Sequence, residues 1–238
     1  MEHTRTARER AREEITTEIL EAARRRLASD GPANLSLRAV ARDVGMVSSA
    51  VYRYVPSRDD LLTALLVEAY DELGAAAEAA DDGVSDRTDV RARWTATCRA
   101  VRSWSVGHPH DYALLYGSPV IGYAAPRDTV GPATRVIVRL VGIISSAHEI
   151  GGAARPLPEG PGPSFEPSVG DATAALREVA GLDTDVPPEL VGRTLMAWST
   201  VFGTISFELW GHLVGSVSDH ETYFDSVVSR LWHDLGGV

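Results

Sequence analysis

The sequence predicts an all-α protein, in which a small three-helix domain of helix-turn-helix type is joined by a long helix to a larger helical domain. Three observations predict it. Apolar residues recur at spacings of three to five along most of the chain, as helices packed on one face require, and no stretch alternates apolar with polar residues as a half-buried strand would. Helix-breaking clusters such as Asp30-Gly31-Pro32 and DDGVSDRT at residues 81–88 punctuate the pattern. The expected divisions are 8–57 for the first domain, 58–80 for the connecting helix and 81–238 for the larger domain.

In chain order, the first helix is expected from about Arg8 to Ser29, with Ile15, Ile19, Ala22, Ala23 and Leu27 inward. Ser36 is a suitable N-cap for a short helix to Val44, packed through Leu37, Val40 and Ala41, and Gly45 supplies the turn. A second short helix is expected from Val47 to Val55, with Val47, Val51 and Val55 on one stripe. Pro56 and Ser57 then open the long helix, Arg58 to about Ala80, carrying Leu61, Leu62, Leu65, Leu66, Ala69 and Leu73 at helical spacing. Further helices are expected at about 89–107, 110–117, 127–150, 169–180, 188–214 and 219–235. Residues 151–170 hold five Gly and five Pro, a composition expected of a mobile loop.

Composition bounds the function. The net charge of −10 argues against a nucleic-acid partner until it is divided along the chain. Residues 1–58 hold 11 Arg against 8 acids, +3, and residues 59–238 hold 12 Arg against 25 acids, −13. A basic head on an acidic body suits a polyanion at the head. All 23 basic residues are arginine, the better bidentate ligand for phosphate and guanine. A lone Cys98 excludes an internal disulfide, and with no apolar run near the roughly 20 residues of a membrane span and no secretory leader, a cytoplasmic location away from membranes is expected. No G-x-S-x-G elbow, Gly-rich phosphate loop or H-E-x-x-H is present, so neither catalysis nor a cofactor is expected. His108, His110 and Asp111 lack a partner set for a tetrahedral metal, and no metal site is assigned.

The two short helices around Gly45 have two readings: a helix-turn-helix whose second helix enters the DNA major groove, or an ordinary corner between packed helices. The second helix turns Ser48, Ser49, Tyr52 and Arg53 outward, and no acid lies between Val44 and Arg58 to repel phosphate. That polar, unobstructed face suits close approach to base edges.

The stretch ILEAARRRLASDGPANLSLRAVARDVGMVSSAVYRYVPSRDDLL resembles the N-terminal DNA-binding domain of TetR-family transcriptional regulators, in its Val-Ala then Gly, its Tyr-Arg-Tyr ending and its Pro-Ser-Arg entry to the next helix. The resemblance implies Arg38, Ser48, Ser49, Ala50 and Arg53 near base edges. It implies Ser36, Tyr52, Tyr54 and Arg58 at phosphates. Val47 and Ser48 stand where the family often has Ser or Thr and Lys. Residues 108–126 and 196–215 resemble a C-terminal domain type with a Trp, His and Gly signature, Trp198 and Gly203 standing at its ends and Phe202 in place of the His.

The family likeness further implies a homodimer that binds a double-stranded palindromic operator, as a repressor released by a small-molecule effector. Expected walls for that ligand are Trp94, Trp104, Tyr112, Tyr116, Tyr123, Phe202 and Phe207, with His148, Glu149 and Glu208 as polar anchors. Expected dimer residues are Leu195, Ile205, Leu209 and Leu213, continued by Val227 and Leu231. The competing reading is a helical ligand-binding or interaction protein that does not bind DNA sequence-specifically.

Overall fold

A computed structural model describes residues 6–150, 162–180 and 186–236, and among them ten α-helices and no strand. They are α1 (Ala7–Asp30), α2 (Leu37–Asp43), α3 (Ser48–Val51), α4 (Arg58–Asp82), α5 (Val90–Gly107), α6 (Pro109–Tyr116), α7 (Val130–Ile150), α8 (Gly170–Ala180), α9 (Pro188–Leu209) and α10 (His220–Asp234). Two compact units result. The head unit takes residues up to Tyr70 together with His108–Val130, and the body unit takes Asp71–Gly107 and the chain from Gly131 onward. The division therefore departs from the expected order along the chain: residues 108–130, placed in the larger domain by sequence, cluster with the head. The physical cause is that Leu114, Val120 and Tyr123 pack on the head's apolar core.

The head core comprises Ile19, Leu20, Ala22 and Ala23 of α1, Leu37, Val40 and Ala41 of α2, Val51 and Val55 around α3, and Leu61, Leu62 and Leu65 of α4. Thr6 and Glu9 form a reciprocal capping box at the start of α1, satisfying amides that have no partner within the helix. Arg26 of α1 holds Asp43 at the end of α2 through two hydrogen bonds of 2.6 and 2.9 Å, and also reaches Asp30 at 3.1 Å. After α2, Gly45 adopts φ +66°, a left-handed conformation that costs a β-carbon about 1–2 kcal/mol. This lets the Met46 amide reach back to the Ala41 carbonyl at 2.9 Å.

In the body, α5, α9 and α10 pack on one another around Trp94, Val101, Leu190, Ala197, Ile205, Phe224 and Val228, all buried. The Trp94 indole donates to the Val228 carbonyl at 3.1 Å, joining α5 to α10. Cys98 is buried among them, and burial pushes its thiol pKa up. Asp81, at the end of α4, is fully buried yet charged. It accepts from Arg93 at 2.6 and 3.2 Å and from Arg87 at 3.0 Å, and lies 3.2 Å from Arg139. By length and composition alone, residues 127–150 reach the apolarity of a membrane span, which the sequence reading did not anticipate. In the body this helix is tied to α4 by ion pairs from Arg135 and Arg139.

Several expected boundaries move. Helix α3 is four residues long rather than nine, because Pro56 disfavours helical backbone at Val55 and residues 52–54 tighten into a turn with Arg53 and Tyr54 bonded three residues back. Val47 is 70% exposed, not part of the buried stripe: its backbone is extended at the N-cap, which takes its side chain off the helical face. Helix α9 ends at Leu209 rather than 214, where Gly211 at φ +74° closes the turn and the His212 amide bonds to the Phe207 carbonyl. Of the expected mobile loop 151–170, residues 151–161 lie outside the described residues. Residues 164 and 165 are held against α9 by Glu189, which accepts from the Ser164 hydroxyl at 2.7 Å and the Phe165 amide at 2.8 Å.

Candidate functional site

Helix α3 is fixed from beneath by the buried Val51 and Val55, which leaves Ser49, Tyr52 and Arg53 exposed and Ser48 and Ala50 half-exposed. Arg38 is exposed on α2. Neither Ser36 nor Val47 makes a side-chain cap, so the Ser36 hydroxyl is not engaged in capping α2. Two of the residues implied at phosphates are otherwise occupied. The Arg58 guanidinium donates to the carbonyls of Leu35 (3.1 Å), Pro32 (2.9 Å) and Ala33 (3.1 Å), bracing the chain ahead of α2 rather than facing outward. Tyr54 is half-buried against the head core, with the Arg12 guanidinium 5.2 Å from its ring centre.

Beside the end of α3 lies a hollow of about 300 Å³, lined by Arg8, Ala11, Arg12 and Ile15 of α1 with Arg53 and Tyr54. Three guanidinium groups and no carboxylate line it. Arg12 also donates to the Arg53 carbonyl at 3.1 Å, one of the carbonyls left open where the short helix stops. Sequence alone treats Arg8 and Arg12 as a solvated helix end or a loose arm. Their spacing of four placed them on one face of α1, but which partner that face meets is a tertiary fact.

The body holds a larger cavity, about 490 Å³, lined by Glu78 of α4, Arg93 of α5, and Gly131, Thr134, Arg135, Val138, Arg139, Gly142 and Ile143 of α7. Arg135 spans α4. It donates to both oxygens of Glu78 at 2.9 and 2.6 Å and to the carboxylate and carbonyl of Asp71 at 2.8 and 2.9 Å. Between those anchors, a β-carbon on Gly74 would lie 2.7–2.9 Å from Arg135 atoms, so the close crossing needs glycine there. The Arg135 hydrogen bond holds the Glu78 carboxyl below its ordinary range.

Residues 19–65 match the family model described as "Bacterial regulatory proteins, tetR family", and residues 94–231, more than half the chain, match "Tetracyclin repressor-like, C-terminal domain". The chain belongs to the TetR family. HTH-type transcriptional regulators Rv1816 of Mycobacterium tuberculosis and Mb1846 of Mycobacterium bovis are each 42% identical to this TetR-family chain over 229 residues, covering 93% of it and 92% of theirs. Among solved structures, SCO4313 superposes with a TM-score of 0.76 at 28% identity, over 96% of this chain and all of its own. A tetR-family bacterial regulatory protein from Rhodococcus RHA1 shares the fold, with a TM-score of 0.57 at 17% identity over 94% and 97% of the two chains. The protein is a TetR-family transcriptional regulator, of a family that binds DNA.

In this TetR-family regulator the aromatic residues expected to wall one ligand pocket are not brought together around the body cavity, and none of them lines it. Tyr112, Tyr116 and Tyr123 belong to the head unit. Tyr112 is fully buried, its ring tilted against Tyr116 with the centres 5.2 Å apart, and Tyr123 shares a 2.9 Å hydrogen bond with Thr63 of α4. Trp94, Trp104 and Phe202 are body core, while Phe207 is 52% exposed. His148 stands half-buried in the last turn of α7, Glu149 is exposed, and Glu208 is held by Arg102 at 2.6 and 2.8 Å.

The residues expected at the dimer seam differ in exposure. Ile205 and Leu231 face the core, and Leu195, Leu209, Leu213 and Val227 are half-buried. The exposed apolar side chains on α9 and just beyond it are Met196, Phe207, Trp210 and Val214, with Tyr223 on α10. Along α9, Leu190, Val191, Ala197, Val201 and Ile205 are buried, and Met196 and Phe207 are turned outward.

Proposed function

We propose that the protein is a cytoplasmic homodimeric repressor that places α3 in the major groove of each half of a palindromic operator and lets go when a small molecule enters the body cavity. The observation that carries the reading is the outer face of the head: exposed Arg38, Ser49, Tyr52 and Arg53, flanked by a hollow of three arginines without a lining acid. Base edges would be read by Arg38 and Arg53, each worth about 1–3 kcal/mol of discrimination if bidentate to guanine, while Arg8 and Arg12 would meet the adjacent phosphate and fix register. Two heads are needed because half-sites lie about 34–36 Å apart on one side of the duplex. The exposed face of Met196, Phe207 and Trp210 on and beside α9 is the surface we assign to dimerisation.

Helix α4 starts in the head unit and ends in the body unit, and Glu78 on it lines the cavity. A ligand that binds better to the arrangement unfit for the operator would shift the population toward it and lower DNA affinity. The test is selection of duplex sequences from a random pool by the purified protein, repeated with Arg38→Ala at one salt concentration. An inverted repeat enriched by the wild type, with relaxed preference at one position of each half-site in the variant, is the expected result. No enrichment by folded dimer would instead favour a ligand-binding protein that does not read DNA sequence.

A further inference from the structure

We infer that the body cavity takes a small amphipathic anion of the carboxylate class, and that its head group competes with Glu78 for the Arg135 guanidinium that clasps α7 to α4. This rests on the reading of the cavity as the effector site. Its walls carry Arg93, Arg135 and Arg139 against the single acid Glu78, a formal +2, although residues 59–238 as a whole carry −13. The other acids that hold these arginines, Asp71, Asp81 and Asp82, offset their charge but do not line the cavity, so guanidinium groups outnumber carboxylates three to one along its wall. Opposite charge in a partly water-excluding cleft is what selects an anion. Val138 and Ile143, with the bare backbone of Gly131 and Gly142, give the same space an apolar side, and about 490 Å³ suits a small organic molecule rather than an inorganic ion.

The competition follows from geometry. Arg135 offers Glu78 two parallel N–H donors, the arrangement any carboxylate prefers. Glu78 is a third exposed and can swing into water, whereas Asp71 holds the opposite edge of the guanidinium. Asp71 and Glu78 sit seven residues apart, about 10 Å along α4, with Gly74 under the arginine between them. Loss of Glu78 removes one of the two carboxylates through which Arg135 holds that stretch of helix. The ligand therefore changes how α4 is gripped without having to open the hydrophobic core.

The test is calorimetric titration of the full chain with octanoate, octan-1-ol, octylamine and inorganic phosphate, on the wild type, Arg139→Gln and Glu78→Gln, each checked for native helicity. Octanoate is expected to bind at least about tenfold more tightly than the alcohol, amine or phosphate, the worth of a charge-assisted hydrogen bond combined with the apolar tail. Arg139→Gln is expected to weaken it by about tenfold, and Glu78→Gln to strengthen it by about tenfold because the competitor is gone. A merely structural Glu78 would give no gain. Absence of octanoate binding, equal binding of octylamine, or weaker binding to Glu78→Gln overturns the inference. Octanoate that binds with the expected pattern but leaves operator affinity unchanged upholds the anion site and sinks the effector reading beneath it.

Discussion

At the scale of single residues, Asp81 shows how this acidic body keeps a buried charge. Burial pushes its carboxyl pKa up, and hydrogen bonds from Arg93 and Arg87 more than offset that, holding it below the ordinary range. A carboxylate with a depressed folded-state pKa contributes stability above its unfolded value, near pH 4, and loses it as pH falls further. Asp81→Asn should therefore lower stability at pH 7 by about 3 kcal/mol, since it strands the buried Arg93. The gap between variant and wild type should close progressively below about pH 4. Thermal unfolding of both proteins from pH 7 to pH 3 checks this, and a gap independent of pH would mean that lost packing, not charge, is responsible. Sequence marked Asp81 only as part of a helix-breaking cluster; its three arginine neighbours come from α5, α7 and the turn between α4 and α5, which no local pattern could reveal.

At the scale of elements, α3 is too short to be stable by itself, since helices under about 12 residues are marginal in water. Its position depends on what it leans on: Val51 and Val55 below, and Arg12 of α1 at its end. Arg12→Ala should weaken operator binding at every sequence alike and reduce the magnitude of the slope of log K against log salt by about 0.9, one phosphate's worth. Filter binding across a salt series on the selected operator and on a scrambled duplex tests it. A loss confined to the operator, with the slope unchanged, would show that Arg12 acts only by bracing α3. The order of head elements was legible from capping residues, Gly45 and Pro56, but the brace was not, because α1 and the end of α3 are 41 residues apart in the chain.

At the scale of the whole molecule, the exposed apolar residues of α9 and the turn after it argue for a second copy. Phe207→Asp should give a monomer in analytical ultracentrifugation with native helicity, and operator affinity should fall by orders of magnitude because a single head has few contacts. A variant that remains dimeric would place the interface elsewhere. Ile205→Asp, two residues away, should instead unfold the body, since Ile205 is fully buried. The sequence by itself determined the helical class, most helix positions, the head motif and its outward polar face, because helix period, caps and turn glycines are local properties of adjacent residues. Only the tertiary structure decided that residues 108–130 cluster with the head, that Arg58 braces backbone, that Trp94, Trp104, Tyr112 and Phe202 are buried, and that a cavity is lined by arginines. Those outcomes depend on which of several comparable apolar stripes and charge pairs meet across the fold, a competition settled by simultaneous packing of distant segments.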